Sequence, residues 1–118
     1  MPAARLRKVN EAVREVVSTH IAEDLKDPRV GFVTVTSVDT SPDLRHAHVY
    51  VTVLGDETVR AEAMAGLNSA AGYLQTAIGR ELRMKNTPNL DFRYDNSTDE
   101  GFRIADLIRE NQREEEQR

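Results

Sequence analysis

Two histidines that stand two residues apart, His46 and His48, are the first candidates for chemistry in this chain. On an extended strand they share one face, where imidazole rings can bind a metal ion or act as acid and base. The chain has no cysteine, and no acidic pair stands at a convincing spacing beside them, so we expect no metal site. A small hydrolase that uses His46 or His48 remains an alternative, but an exposed sheet face is the simpler interpretation.

The serines do not provide a second catalytic centre. Four of them lie in turn, cap or helix contexts with no base nearby in the sequence: Ser37, Ser41, Ser69 and Ser97. The chain also lacks the glycine-rich loop that holds nucleotide phosphates in NTPases. We therefore expect no enzyme activity and no cofactor.

Basic side chains are the other group that could do chemistry, because lysine and arginine bind phosphate. Three elements contribute them: Arg5, Arg7, Lys8 and Arg14 near the start, Arg45 in the middle, and Arg80, Arg83 and Lys85 further on. The last three also suit the negative end of a helix dipole, and many such residues are simply solvated helix ends. Composition alone leaves these two interpretations open.

The net charge of −4 argues at first against a nucleic-acid partner. However, residues 1–90 carry 11 Lys and Arg against 11 Asp and Glu, whereas residues 91–118 carry 5 against 9. The acidic excess therefore lies at the C-terminal end, and a neutral body can still present a basic face. We expect the basic side chains to form a patch beside a bent helix.

Hydrophobic periodicity predicts the elements that would position these residues. An apolar stripe at spacings of three and four predicts a helix over residues 4–25, which Asp27-Pro28 ends. Phe32 to Val38 and about Arg45 to Leu54 are strands on either side of a turn at residues 41–43. In the second strand the odd positions face the core, and this strand is the better candidate for the sheet centre.

A long helical pattern runs from Val59 to Leu82, with Asp56 as a plausible N-cap. Gly66, Gly72 and Gly79 interrupt it, and each costs about 1 kcal/mol against alanine. Small residues are densest from Ala70 to Gly72, so we predict the bend there. Asn68 and Ser69, which precede the bend, carry groups that can donate to phosphate.

The C-terminal part begins with a short third strand around Phe92 and Tyr94. Residues 97–100 form a capping box that opens a last helix, and residues 112–118 are charged and expected to be disordered. Residues 1–111 form the single domain. The N-terminus lacks the apolar run of a signal peptide, and no stretch is long enough for a membrane span, so the chain is expected to be cytoplasmic.

The element order resembles a type II KH domain, and more closely the bacterial ribosome-binding factor A family. Short motifs in order carry the likeness over nearly the whole chain: Asp27-Pro28-Arg29-Val30, Ser41-Pro42-Asp43-Leu44, Ala47-x-Val49-Tyr50-Val51, Ala70-x-Gly72, Pro88-x-Leu90-x-Phe92, Asp95-x-Ser97 and Gly101-x-Arg103-Ile104. The Gly-x-x-Gly loop of ordinary KH domains is absent. Its absence favours recognition of folded RNA by shape and phosphate contact.

The resemblance implies an α+β, type II KH-like fold, in the order helix, strand, strand, kinked helix, strand and C-terminal helix. A three-stranded sheet would carry the helices on one face. It also implies a monomeric, non-catalytic assembly factor that binds the maturing 30S subunit at the 5′-terminal helix region of 16S rRNA, supports rRNA processing, and matters most in the cold. The RNA-binding set would be Arg5, Arg7, Lys8, Arg14, Arg45, Asn68, Ser69, Arg80, Arg83 and Lys85, beside a kink at Ala70 and Gly72. A dimerising or ligand-binding regulatory module without RNA binding stays open as the alternative.

Overall fold

The computed structural model describes residues 3–96. The expected capping box, the last helix, the domain boundary at residue 111 and the charged tail all lie outside these residues. Within them the order is helix, two strands, two consecutive helices and a third strand. The predicted α+β class and element order are therefore confirmed for this part of the chain.

The first helix, α1, spans Ala3–Glu23 and buries one stripe, formed by Val13, Val16, Val17 and Ile21. Spacings of three and four place these side chains on one side of the helix, facing the core. The amide of Asp24 still donates to the carbonyl of His20 (2.9 Å). The helix thus ends within two residues of the predicted boundary, ahead of Pro28.

Three strands form one sheet in the order β1-β2-β3, where β1 is Val33–Thr40, β2 is His46–Val53 and β3 is Asn89–Tyr94. The first two strands are antiparallel, and β3 runs parallel to β2. The predicted central position of β2 is confirmed. Its odd positions, including Ala47, Val49 and Val51, are fully buried against the helices.

A β-bulge explains why β1 ends later than predicted. The register shifts between Val35 and Ser37, so Thr36 has no partner residue on β2. The bulge reverses the alternation, so that Val35 before it and Val38 and Thr40 after it face the core. The hydroxyl of Thr36 donates to the carboxylate of Asp95 (2.6 Å), which joins the edge strand to the end of β3.

The long helical pattern forms two helices, α2 over Glu57–Ser69 and α3 over Ala71–Leu82. Asp56 caps α2, since its carboxylate accepts from the amide of Val59 (2.9 Å). The break falls at Ala70, whose amide is shared between the carbonyls of Gly66 and Leu67. This is the kinked helix of the predicted order.

The core lies between one face of the sheet and the three helices. Its largest fully buried side chains are Leu67, Leu74 and Ile78 from α2 and α3, Val13 and Val17 from α1, and Val49 and Val51 from β2. The opposite face of the sheet carries no helix from residues 3–96. This one-sided layering leaves the helix ends and the hairpin turn at the rim of the domain, where they can approach each other.

Candidate nucleic-acid interface

Three cations line a cleft of about 430 Å³ at the end of the domain that holds the β1–β2 turn, and a fourth, Lys8, lines its extension along α1. We call this the basic cleft and define it by Arg5 and Lys8 of α1 and by Arg83 and Lys85 after α3. Its apolar floor consists of Val9, Leu82 and Met84, and a shallower extension along α1 shares this floor. The turn residues Asp43 and Leu44 and the loop residue Asn86 complete the wall.

The packing of α1 against α3 brings these cations together. At one end of the pair, Tyr73 in the first turn of α3 donates its hydroxyl to Asp24 just beyond α1 (2.8 Å). At the other end, Val9 and Leu82 meet in the cleft. Residues that are about 75 positions apart therefore line one recess, which no local sequence pattern can indicate.

Two residues of the cleft hold a left-handed backbone. Arg83, the C-cap of α3, has φ 51° and ψ 41°, and Leu44 in the turn has φ 62°. Residues with a Cβ pay about 1–2 kcal/mol for this conformation, which glycine adopts freely at helix C-termini. Strained positions of this kind cluster at functional sites, and here both of them lie in the wall of the same cleft.

The cations of the basic cleft are available to a ligand. Across residues 3–96, none of these four side chains forms an ion pair with a carboxylate. One acid, Asp43, lines the same recess. The hydroxyl of Ser41 and the amide of Arg45 both donate to its Oδ1 (2.6 and 3.0 Å), and they lower the pKa of this carboxyl. Together, the cleft and its extension thus hold four positive charges and a single negative one.

Arg45 lies beside the cleft in a neighbouring depression of about 450 Å³. His46, Thr87 and Asn89 line it as well, and Asn86 belongs to both recesses. The amide of Asn89 donates to the carbonyl of Arg45 (2.8 Å), which fixes the hairpin turn against the start of β3. A phosphate chain that leaves the basic cleft past Asn86 would therefore meet Arg45 next.

Three other predicted residues lie away from the cleft. Arg14 is paired with Glu11 on the same helix, and its Nε donates at 2.9 Å. Arg80 lies near Asp24, whose pKa its charge helps to lower, although His20 and Tyr73 contribute more. Arg7 is exposed on α1 and does not line the recess. The basic cleft therefore contains part of the predicted set.

The bend lies at the opposite end of α3 from the cleft. The helix has 12 residues, so about 18 Å of helix separates the two. Asn68 is exposed, and the hydroxyl of Ser69 donates to the carbonyl of Ala65 (3.0 Å). Gly72 is exposed, and a Cβ there would meet nothing within 4 Å. The expected patch beside the bend thus consists of two separate groups.

Close packing at this end occurs at Gly66, one of the three glycines that interrupt the helical pattern. A Cβ on Gly66 would lie 2.7 Å from Val30 Cγ2 and 3.3 Å from Asp27 Oδ2. Arg29 holds the same loop, because its guanidinium donates to both oxygens of Asp27 (3.0 and 2.6 Å). This contact gives Arg29 a structural role in the loop.

His20 connects α1 to α3. Its Nδ1 bonds Asp24 and its Nε2 bonds Glu81, and only 13% of the side chain is exposed. The ring of Tyr73 stands edge-on at 6.1 Å. The hydrogen bond to the carboxylate of Asp24, followed by that to the carboxylate of Glu81, raises the pKa of His20. This is the partly buried structural histidine that its place near the apolar stripe indicates.

The histidines of β2 have different surroundings. His48 is paired in register with Asp39 on β1, and His46 is exposed at the start of the strand. Among residues 3–96, no group of three or more histidine and acidic side chains could hold a metal ion. In the same part of the chain, no helix is both long and apolar enough to cross a bilayer.

Known proteins resemble this chain in sequence and in architecture. The profile of the family described as ribosome-binding factor A matches residues 5–108. The ribosome-binding factor A of Halothermothrix orenii is 44% identical over 116 residues, which cover 98% of this chain and 95% of that protein.

Solved structures show the same likeness. The crystal structure of ribosome-binding factor A from Thermus thermophilus has a TM-score of 0.68 and 28% identity, covering 75% of this chain and 94% of that one. A homology model of the Thermus protein, fitted into a cryo-electron microscopy map of its complex with the 30S subunit, has a TM-score of 0.62 and 29% identity, covering 74% and 91%. With its KH-like α+β fold and a profile match over most of its length, this chain belongs to the ribosome-binding factor A family.

Proposed function

We propose that this chain binds the maturing 30S ribosomal subunit and that the basic cleft contacts phosphates of 16S rRNA. The observation that carries the proposal is the set of four cations without ion-pair partners among residues 3–96, on a chain whose net charge is −4. Such a local concentration of positive charge attracts a polyanion even when the whole molecule is an anion. The fitted 30S complex of the Thermus relative supports the choice of partner.

The proposed action is occupancy without bond chemistry. The chain would bind one arrangement of the 5′-terminal helix region of 16S rRNA more tightly than others, and this shifts the rRNA towards that arrangement. It would act as a cytoplasmic monomer and support late rRNA processing. Its importance would be greatest in the cold, where misfolded RNA helices rearrange slowly.

Co-sedimentation with purified 30S subunits tests the proposal, with two charge reversals that change the net charge equally. Lys85→Glu alters the rim of the basic cleft, whereas Lys26→Glu alters an exposed lysine in the loop after α1. We expect Lys85→Glu to weaken binding about tenfold or more and Lys26→Glu to leave it nearly unchanged. Equal losses would indicate a general charge effect and contradict the assignment of the site.

The salt dependence gives a second measurement. Four phosphate contacts predict a log–log slope of binding against salt of roughly −3 to −4. Replacing Lys85 with glutamine should make that slope shallower by about one. Wild-type protein that fails to sediment with subunits would contradict RNA binding and favour the regulatory-module alternative.

A further inference from the structure

The basic cleft has features that phosphate binding alone does not require. Its floor is apolar. Val9, Leu82 and Met84 are only partly buried, and they pack against the hydrophobic core. Phosphate oxygens gain nothing from apolar surface, and exposing such surface to water is unfavourable. A ligand that fits both the rim and the floor carries charge at one end and a flat apolar body at the other.

Asp43 is the second feature. Its carboxylate lies in the wall of a recess that would receive phosphate, where a negative charge opposes binding. Both of its hydrogen bonds fall on Oδ1, and Oδ2 accepts none from residues 3–96. The lowered pKa keeps the group ionised, so Oδ2 can only accept a hydrogen bond. Its natural partner is an N–H donor of the ligand.

We infer that the basic cleft holds one unstacked nucleotide, with its base on the apolar floor and its phosphate at the cationic rim. The inference rests on the proposed RNA binding and adds what kind of RNA the site takes: a bulge, loop or free end. Bases are read in this way when they leave the helix, because their flat faces stack and their edges are then free. The recess of about 430 Å³ lies within the usual range for ligand sites.

The wall residues match the edge of a base. Asn86 carries both a donor and an acceptor, and Asp43 offers only acceptors. Guanine presents two adjacent N–H donors on its Watson–Crick edge, whereas adenine presents one beside an acceptor. A carboxylate therefore favours guanine over adenine. Met84 suits the flat face, since its thioether makes favourable contacts with aromatic rings.

Titration of the ¹⁵N- and methyl-labelled chain with guanosine monophosphate, followed by NMR, tests the inference. Ribose 5-phosphate is the matched ligand, because it carries the same phosphate without the base. We expect saturable shifts at Met84, Asp43 and Asn86 with the nucleotide, and binding about fivefold or more tighter than with ribose phosphate. Equal affinities, or no shift at Met84, would overturn the inference.

Two variants sharpen the result. Asp43→Asn should reduce the preference for guanosine over adenosine monophosphate, because the amide can donate as well as accept. Met84→Gln keeps the length of the side chain but makes the floor polar, and it should reduce the difference between nucleotide and ribose phosphate. Co-sedimentation with 30S subunits separates the two hypotheses: sedimentation that persists when nucleotide and ribose phosphate bind equally would leave RNA binding intact and reject the base site.

Discussion

The two ends of α3 use polar side chains in opposite ways. At the bend, the groups bond one another: Arg29 is held by Asp27, the hydroxyl of Ser69 by a carbonyl of its own helix, and Gly66 is packed against Val30. In the basic cleft the cations have no carboxylate partner among residues 3–96, and apolar surface remains open beneath them. A cation that already pairs with a carboxylate attracts an anionic ligand less strongly than an unpaired cation does. Under the proposed function, the polar groups at the bend serve packing and those of the cleft serve binding.

Substituting the polar side chains at each end would break this comparison most directly. Glutamine at Arg5, Lys8, Arg83 and Lys85 should weaken binding to 30S subunits by roughly 100-fold or more, and remove most of the salt dependence. Alanine at Asn68 and Ser69 should change binding less than about threefold, since uncharged groups release no counterions. Sedimentation over a salt series measures both. A larger loss from Asn68 and Ser69 would move the binding site to the bend.

Packing at the bend can be tested with two glycines six residues apart. Gly66→Val should lower the free energy of unfolding by about 2–3 kcal/mol, because the added carbons clash with Val30. Gly72→Ala should raise it by up to about 1 kcal/mol, since the site is open and alanine favours the helix. Urea denaturation measures both changes. If Gly72→Ala instead weakens subunit binding, the RNA approaches the backbone at the bend after all.

At the cleft, stability and binding should respond in opposite directions. Arg83→Gly relieves the left-handed strain and should raise the free energy of unfolding by up to about 1 kcal/mol, while it weakens binding. Arg83→Ala removes the same cation but keeps the strained backbone, so it should weaken binding without the gain in stability. Loss of stability in the glycine variant would show that Arg83 has a structural role.

The smallest effect concerns pH and the link between α1 and α3. Folding raises the pKa of His20 above 6.5, so its contribution is fully present below pH 6.5 and disappears as the pH rises through the folded value. The pKa of Asp24 lies below 3.8 in the folded protein, and Asp24 must be ionised to accept the bond. The contribution is therefore also lost when the pH falls through the pKa of Asp24. Urea denaturation of His20→Ala should therefore show its largest deficit between these limits. A deficit that is constant with pH would mean that packing alone accounts for His20.

Local sequence patterns predict much of this fold, because each of these patterns is compatible with only one local structure. The stripe of α1, the buried odd positions of β2 and the small residues at Ala70 all act within a few residues. The pair of Arg14 with Glu11, at a spacing of three, could also have been found this way. The bulge at Thr36 could not, because the same Val and Thr residues suit either register.

The candidate site could be predicted from the sequence only in part. Arg5, Arg83 and Lys85 were all identified as cations, but their meeting depends on how α1 packs on α3. Nothing local distinguishes them from Arg80, which lies one turn earlier and near Asp24 instead. The sequence also did not predict the left-handed backbone of Arg83, since the residue with this conformation at the end of a helix is usually glycine.

The parallel pairing of β2 with β3 has a consequence for how the domain assembles. Residues 54–88 must first close as a crossover that carries both helices before β3 can join the sheet, and such non-local pairings form late in folding. The lip of the cleft is the segment immediately before β3, and Asn89 ties it to the hairpin. A nascent chain that has not yet delivered β3 would therefore possess every cation of the cleft without their arrangement. Affinity for RNA would then be acquired at the end of folding.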